Sequence, residues 1–400
     1  MEGYEIRKHT VGLKIHAGHI DDEIRKRIDY IVAHPAIKEL VAIMPDVHGG
    51  EDIVGLTCRF KDAVIPSLPG VDLGCGVLSI RLECDEIDFE ALDNYIRKNI
   101  PTGFNSRNEE NISSQNFLDK LPMTLRHRIY DVSRRSYAFL EDNNLDSKVL
   151  PSQQIGTLGG GNHFIEIEKG SEGELYLTIH SGSRNFGLKV AGLFQKLAQK
   201  VTKEMNIRVP KGLEYLPLSC GGDDYLTMVK LAQDYAQCNR LAMMHTILRF
   251  LGEDRDEEIE EGRIIESVHN YISSRYGIVR KGAISAHKGE RLVIPLNMGA
   301  GIVIGTGKGN KDYNWSTAHG AGRLYGRMDM NRRLESGTFY SMEAFKESMK
   351  GIFTTSVDRS TFDESPFAYK PWESILPFIY ESVDVEQVAK PVYNLKAIGK

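Results

Sequence analysis

Asp72 and Cys75 stand three positions apart in GVDLGCG (70–76), a turn rich in glycine. A carboxylate and a thiolate so placed can face one cation. Pairing a hard with a soft donor suits a borderline divalent metal such as Zn²⁺, Mn²⁺, Co²⁺ or Fe²⁺. Three histidines sit in comparable settings: His163 after Asn162 in LGGGNHF (158–164), His180 opening HSGSRNFG (180–187), and His269 in ESVHNYI (266–272). One Asp, one Cys and three His can hold one metal, or two that share the thiolate. No two of them have a zinc-finger spacing, so a catalytic site assembled from distant segments fits better than a structural one. His319 opens HGAGR (319–323) and is expected to be exposed on a loop. A neutral imidazole is a competent nucleophile toward phosphorus near pH 7. Arg184, Arg323 and Arg327 add the capacity to bind phosphate.

The glycine excess falls in five segments, 70–76, 155–164, 180–187, 297–310 and 319–323, which carry these residues except His269 and Arg327. Glycine lets backbone N–H groups approach a ligand and adopt positive φ, so the five loops read as one composite site. Gly305-Thr-Gly307-Lys-Gly309 resembles the start of a dinucleotide fingerprint, but Asn310 stands where the third glycine belongs, and the spacing does not make a Walker A loop. The segment is still expected to cradle phosphate through its N–H groups. Histidines 9, 16, 19, 34, 127 and 245 are read as ordinary structural residues.

The elements that must carry these loops are legible in outline. Ile24, Ile28 and Ile31 recur at helical spacing within 20–33, before Pro35. Residues 39–44 read as a strand running into Pro45. Strands are also expected over 53–65, 76–82, 175–180, 291–296 and 301–305. Helices are expected over 115–142, 187–206 and, longest, 223–251, whose acidic start suits the helix dipole and which Gly252 ends. The strands and helices do not alternate cleanly. The fold class is therefore α+β, a single large domain over 1–400 with mixed β-sheets flanked by helices.

Composition bounds the rest. The 400 residues are 41% hydrophobic and 26% charged, which is ordinary for a globular chain. The formal charge of −5 excludes a sheath for nucleic acid but allows a local basic groove. The 38 glycines exceed the usual share of about 7%. Five widely spaced cysteines argue against a disulfide framework. The N-terminus lacks an apolar core of the signal-peptide kind, and no apolar run is long enough to span a bilayer. A cytoplasmic protein with reduced thiols is expected.

The motifs MPDVHGG (44–50), GVDLGCG (70–76), LGGGNHFIEI (158–167), HSGSRNFG (180–187), VHNY (268–271), RKGAISA (280–286), NMG (297–299), HGAGR (319–323) and KPVYNLKA (390–397) occur in the order seen in the RtcB family of RNA ligases. The chain resembles that family from about residue 40 to its C-terminus. The resemblance implies an RtcB-like fold and a GTP- and Mn²⁺-dependent ligase. Such an enzyme joins RNA ending in a 3′-phosphate or 2′,3′-cyclic phosphate to RNA with a 5′-hydroxyl, in RNA repair or tRNA splicing. It implies that His319 carries GMP, that Asp72, Cys75 and His163 hold one manganese, and that Cys75, His180 and His269 hold a second. By the same resemblance Asn162, Phe164, Glu166, Asn297, Gly320, Gly322 and Lys396 contact the guanine nucleotide. Arg184, Arg323 and Arg327 hold phosphate or RNA, and Asp46 and His48 support the metals. An activating protein partner is compatible with it. Deprotonated Cys75 and neutral histidines imply activity that falls in acid. The chain departs from the family pattern at Leu296-Asn297, at Tyr325-Gly326 and at Gly49-Gly50-Glu51-Asp52, where two acids add negative charge. Two rival readings use the same residues: a metal-dependent RNA-end phosphoesterase that ignores His319, and a non-catalytic RNA-binding paralogue.

Overall fold

Alternating apolar strands build two sheets, and the loops at their ends meet. The computed structural model describes residues 11–50, 52–107, 117–145, 148–253, 259, 262–337 and 340–397, so His9 and Glu51 lie outside the described residues. The larger sheet has eight strands. Its order is Arg291–Asn297, Gly301–Gly307, Val383–Lys396, Phe164–Lys169, Leu175–Ser181, Gly76–Arg81 and Ile264–Val268, with Phe353–Thr354 paired to the long strand Val383–Lys396. All these pairs are antiparallel except the last. A five-stranded sheet runs Gly12–Ile15, Ile37–Gly49, Ile53–Phe60, Ile278–Lys281 and Asn270–Ser273. The mixed sheets and flanking helices agree with the expected α+β class.

The helix Asp22–Val32 buries Ile24, Ile28 and Ile31, the stripe its spacing predicts. The helix Gly222–Phe250 is different. Its second half is buried on nearly every side, from Cys238 to Leu248, so it reads as a core helix rather than an amphipathic one. It packs on the helices Met123–Asp142 and Arg184–Glu204 and on the strand Leu175–Ser181. Three elements differ from expectation. The strand begun at Ile37 passes through Pro45 and ends at Gly49. Proline is tolerated there because the register with the neighbouring strand breaks between Ile43 and His48, so no ladder bond needs its missing N–H. That continuation carries Asp46 and His48 to the sheet end. The helix expected over 115–142 is interrupted: Phe117 and Leu118 are helical, a turn follows, and the long helix starts at Met123 after Pro122; residues 115 and 116 lie outside the described residues. The sequence reading has no counterpart for the helix Phe89–Asn99, whose N-cap Asp88 accepts the N–H of Ala91.

His34 shows what burial demands of an imidazole in this fold. It is 2% exposed. The Ala36 N–H donates to its Nδ1 at 3.1 Å, so Nε2 carries the hydrogen and donates to the Leu213 carbonyl at 2.8 Å. Burial pushes its pKa down to about 4. An unfolded His34 binds a proton near pH 6.5, and the folded one only near 4. The stabilisation is therefore complete above 6.5 and is lost as the pH falls, at about 1.4 kcal/mol per unit. Urea titrations of wild type and His34→Gln at pH 7 and pH 5 check this. Wild type is expected to lose about 2 kcal/mol more than the variant over that interval. Equal losses would mean that His34 takes its proton in the folded state.

A candidate metal and nucleotide site

Five donors form a row. Asp72 Oδ2 lies 3.2 Å from His163 Nε2, which lies 3.4 Å from Cys75 Sγ. The sulfur lies 3.3 Å from His180 Nε2, itself 3.3 Å from His269 Nε2. Cys75, His163, His180 and His269 are each under 5% exposed, and Asp72 is half-buried. The donor atoms of Cys75, His163 and His180 all lie within 4.8 Å of one another. Burial holds the imidazoles of His180 and His269 well below their ordinary pKa, with neighbouring cationic groups adding to it. Burial, then the Asp72 carboxylate, pushes the Cys75 thiol up. Burial raises the Asp72 carboxyl too, but the hydrogen bond and charge of His163 outweigh it and hold it below the usual range.

The elements explain this convergence. Cys75 opens the strand Gly76–Arg81, His163 precedes Phe164–Lys169, and His180 ends Leu175–Ser181, all neighbours in one sheet. His269 sits between two strands, with its N–H on the Cys75 carbonyl at 2.9 Å. The long helix ties these strand ends together through two wholly buried residues that sequence reasoning missed. The Asn239 side chain accepts the N–H groups of Gly156 and Thr157 and donates to the Thr157 carbonyl, Ser181 Oγ and the Gly182 carbonyl. Arg240 donates to the carbonyls of Gly74 and Ser181 and pairs with Glu266 at 2.8 Å. His163 Nδ1–H donates to the Leu158 carbonyl at 2.8 Å, which turns its Nε2 toward the row. Gly159, at φ +90°, admits no side chain: a Cβ would lie 1.9 Å from Arg184 Nη1 and 2.8 Å from His163 Nδ1.

His319 stands at the far end, its ring centroid 4.9 Å from that of His269. It is not exposed as expected. It follows the strand Ser316–Ala318 directly, and its side chain is only 16% accessible. Asp46, wholly buried, accepts the His319 N–H at 3.0 Å and the ring at Nδ1 at 2.6 Å. A carboxylate on Nδ1 fixes the tautomer and leaves the Nε2 lone pair free. Gly322, at φ +77°, lets the chain turn against Asp46, whose carbonyl would lie 2.4 Å from a Cβ. His48 Nδ1 bonds the Asp46 carbonyl at 2.8 Å, and burial pushes its pKa down to about 4.

Asp72, Cys75, His180, His269 and His319 face one cavity of about 780 Å³. Asn162, Phe164, Glu166, Asn297, Gly320, Gly322 and Lys396 also line it. Lys396 Nζ sits 4.8 Å over the Phe164 ring and 3.7 Å from the buried Glu364, another residue that sequence reasoning missed. Glu364 and Tyr369 lie beyond the last glycine motif, and no local pattern marks them. The arginines divide. Arg327 lines the cavity and is half-exposed beside Asp363 and Glu364. Arg323 lines it too, with donors on Tyr325, Glu364 and Asp363. Arg184 is not among the lining residues and binds Thr157 and the Gly103 carbonyl. The segment 305–309 cradles nothing: the N–H groups of Gly307, Lys308 and Gly309 are taken by the carbonyls of Glu290, Ser382 and Ala286. Asp52 adds no free charge near the site, because Arg27 pairs with it in bidentate fashion.

The donor set fits borderline divalent cations. Burial keeps the imidazoles of His180 and His269 neutral, the form in which a ring nitrogen can ligate a metal. A soft sulfur between nitrogens and a carboxylate is the chemistry such ions take.

Residues 28–399 match the family model described as tRNA-splicing ligase RtcB, and the chain belongs to the RtcB family of ligases. The RNA-splicing ligase RtcB of Escherichia coli K12 is 29% identical over 99% of this chain and 98% of its own length. The tRNA-splicing ligases RtcB of Methanococcus maripaludis and Thermococcus kodakarensis are 24% and 25% identical, over 93% and 89% of this chain and 90% and 87% of their own lengths. Among the described residues, no helix is long and apolar enough to cross a membrane.

The Asp46–His319 contact predicts the outcome of Asp46→Asn. The amide can offer its N–H₂ to Nδ1 and so move the ring hydrogen to Nε2. Nitrogen NMR of histidine-labelled protein is expected to show an unprotonated Nε2 on His319 in wild type and a protonated one in the variant. Turnover that depends on His319 is expected to fall by about 10²–10⁴-fold with the fold intact. An unchanged tautomer would detach Asp46 from the role.

Proposed function

We propose that this chain is a GTP- and Mn²⁺-dependent RNA ligase, with residues 1–400 acting as one catalytic domain in a reducing compartment such as the cytoplasm. The observation that carries the reading is the geometry of His319. A buried carboxylate holds its Nδ1, its Nε2 is free, and it stands beside a row of five metal-type donors in a cavity of nucleotide size.

In this reading Asp72, Cys75 and His163 hold one Mn²⁺, and Cys75, His180 and His269 hold the second. Bound there, the ions supply positive charge to the phosphoryl oxygens and to the leaving pyrophosphate. His319 Nε2 attacks the α-phosphorus of GTP. A P–N bond forms, the bond to pyrophosphate breaks, and Asp46 keeps the Nδ1 proton in place. The GMP then passes from His319 to an RNA 3′-phosphate, and the imidazole regains its lone pair. The 5′-hydroxyl of a second RNA attacks the activated phosphate, loses its proton and displaces GMP. A 2′,3′-cyclic end is first opened by water to the 3′-phosphate. Asn162, Phe164, Glu166, Asn297, Gly320, Gly322 and Lys396 would line the guanine nucleotide. Arg327 would meet substrate phosphate. Arg184 and Arg323 serve the same end by fixing the loops around it, and His48 by fixing Asp46. The aligned RNA ends gain by proximity. The names of the relatives, RNA-splicing and tRNA-splicing ligases, support the substrate class.

Incubation with α-labelled GTP and Mn²⁺, followed by a denaturing gel, tests the first step. Wild type is expected to carry an acid-labile label, and His319→Ala none. Addition of RNA with a 3′-phosphate and RNA with a 5′-hydroxyl is expected to discharge the label and yield joined RNA. Hydrolysis of RNA ends that survives in His319→Ala would favour the phosphoesterase instead. RNA binding without any label would favour a non-catalytic paralogue.

A further inference from the structure

Among the described residues the most exposed large hydrophobic side chain is Phe104, at 87%, and Met328 follows at 76%. Both flank one short stretch of chain, residues 159–161, which leads into the donor His163. Phe104 belongs to the turn 102–105, closed by the Asn105 N–H on the Thr102 carbonyl. Thr102 pairs with Gly159 as an isolated bridge, and the Gly103 N–H donates to the Gly159 carbonyl at 2.6 Å. On the other flank, Met328 follows Arg327, whose guanidinium lies against Gly161: a Cβ there would stand 2.9 Å from Arg327 Nη2.

The turn is held from two sides. Arg184 Nη2 donates to the Gly103 carbonyl at 2.7 Å. The same guanidinium fills the space beside Gly159, next to the His163 ring. Behind the turn, Arg107 is 1% exposed and donates to the carbonyls of Asn99, Ile155 and Gly156. The Phe117 ring covers that guanidinium at 3.5 Å. A phenyl ring left in water adds nothing to folding, yet buried polar groups brace the loop that presents this one. Single apolar residues scattered over a surface are ordinary. The two most exposed of them on either side of one donor-bearing segment are not scattered.

The chemistry around them is that of a surface for single-stranded nucleic acid. Arg327 is half-exposed, and Arg332 lines the cavity and is exposed. Asp329, the acid between them, pairs with Arg333 at 3.2 Å. Cations for the backbone and apolar faces for the bases are the two parts of such a surface. Met328 lines the cavity, whereas Phe104 lies outside its lining. A mononucleotide is enclosed by the lining residues; a strand continues past them.

We propose that Phe104 is a base-stacking residue for RNA: its ring packs on a base near the end to be joined, where the strand leaves the cavity. The inference rests on the reading above for RNA as the substrate and does not need the GMP step. Every base has a π-face, so the contact holds the end in place without selecting a sequence.

Binding of labelled single-stranded RNA to the Mn²⁺-loaded protein, with GTP left out, tests it. One probe ends in a 3′-phosphate and the other begins with a 5′-hydroxyl. Phe104→Ala is expected to weaken binding of at least one probe about tenfold, and the probe affected is the strand that crosses the ring. Phe104→Trp is expected to restore the affinity. Phe104→Leu, which keeps an apolar side chain without a π-face, is expected to leave it weak. Abasic nucleotides placed one at a time from the joining end locate the base: at one position wild type and Phe104→Ala are expected to bind alike. Unchanged affinity of Phe104→Ala for both probes, rescue by leucine, or a difference that survives every abasic substitution overturns the proposal. An equal loss of GMP binding assigns the ring to the nucleotide and overturns it too. A wild type that binds neither probe overturns the RNA reading, and this inference with it. A wild type whose RNA binding depends on Phe104 but which joins no RNA supports this inference and overturns the ligase reading alone.

Discussion

The lone pairs of three imidazoles, a sulfur and a carboxylate are packed at 3.2 to 3.4 Å in a row. Burial holds His180 and His269 neutral, and nitrogen, sulfur and oxygen donors held this close are a set that could take a divalent cation. Much of the remaining structure reads as the means of holding these atoms in place.

That work falls to backbone and buried polar groups rather than to long side chains. Sheet neighbours bring Cys75, His163 and His180 to one strand end. Asn239 and Arg240 then fasten the loops to a helix buried on nearly every side. A buried network of this kind is rigid when every member is satisfied. The same device recurs at His319, where Asp46 binds both the backbone and the ring. At the other end of the cavity, Glu364 holds Arg323 and Lys396 in fixed positions. Metal-type donors, His319 and Lys396 thus meet at a single cavity, braced from behind by buried charged or amide groups.

The donors themselves were legible in the sequence because Asp72, Cys75, His163, His180 and His319 sit in or beside glycine loops, where a side chain has few structural reasons to be, and His269 because its motif VHNY stands in order with theirs. The braces were not legible. Asn239 and Arg240 look like ordinary residues of a long helix. Glu364 and Tyr369 belong to no motif. Their roles arise from contacts across large sequence separations, which local pattern does not encode. The main strands and helices followed from periodicity, with errors where proline competes with tertiary context. Pro45 is passed by a strand because the register slips there, whereas the long helix starts only after Pro122. The loop 305–309 misled because glycine supplies conformational freedom but says nothing about whether its N–H groups are already spent. Nor does a motif show that a guanidinium in it also serves the protein's own groups, as Arg184 and Arg323 do.

The central claim is that the row around Cys75 is a cation site in which one thiolate serves two ions. Calorimetric titration of metal-free protein with Mn²⁺ near pH 7.5, beside Cys75→Ser, tests it most directly. The account predicts two ions per wild-type chain, with protons released on binding, and loss of both sites when the sulfur is removed. Binding that Cys75→Ser leaves unchanged, or no binding to the wild type, would contradict it.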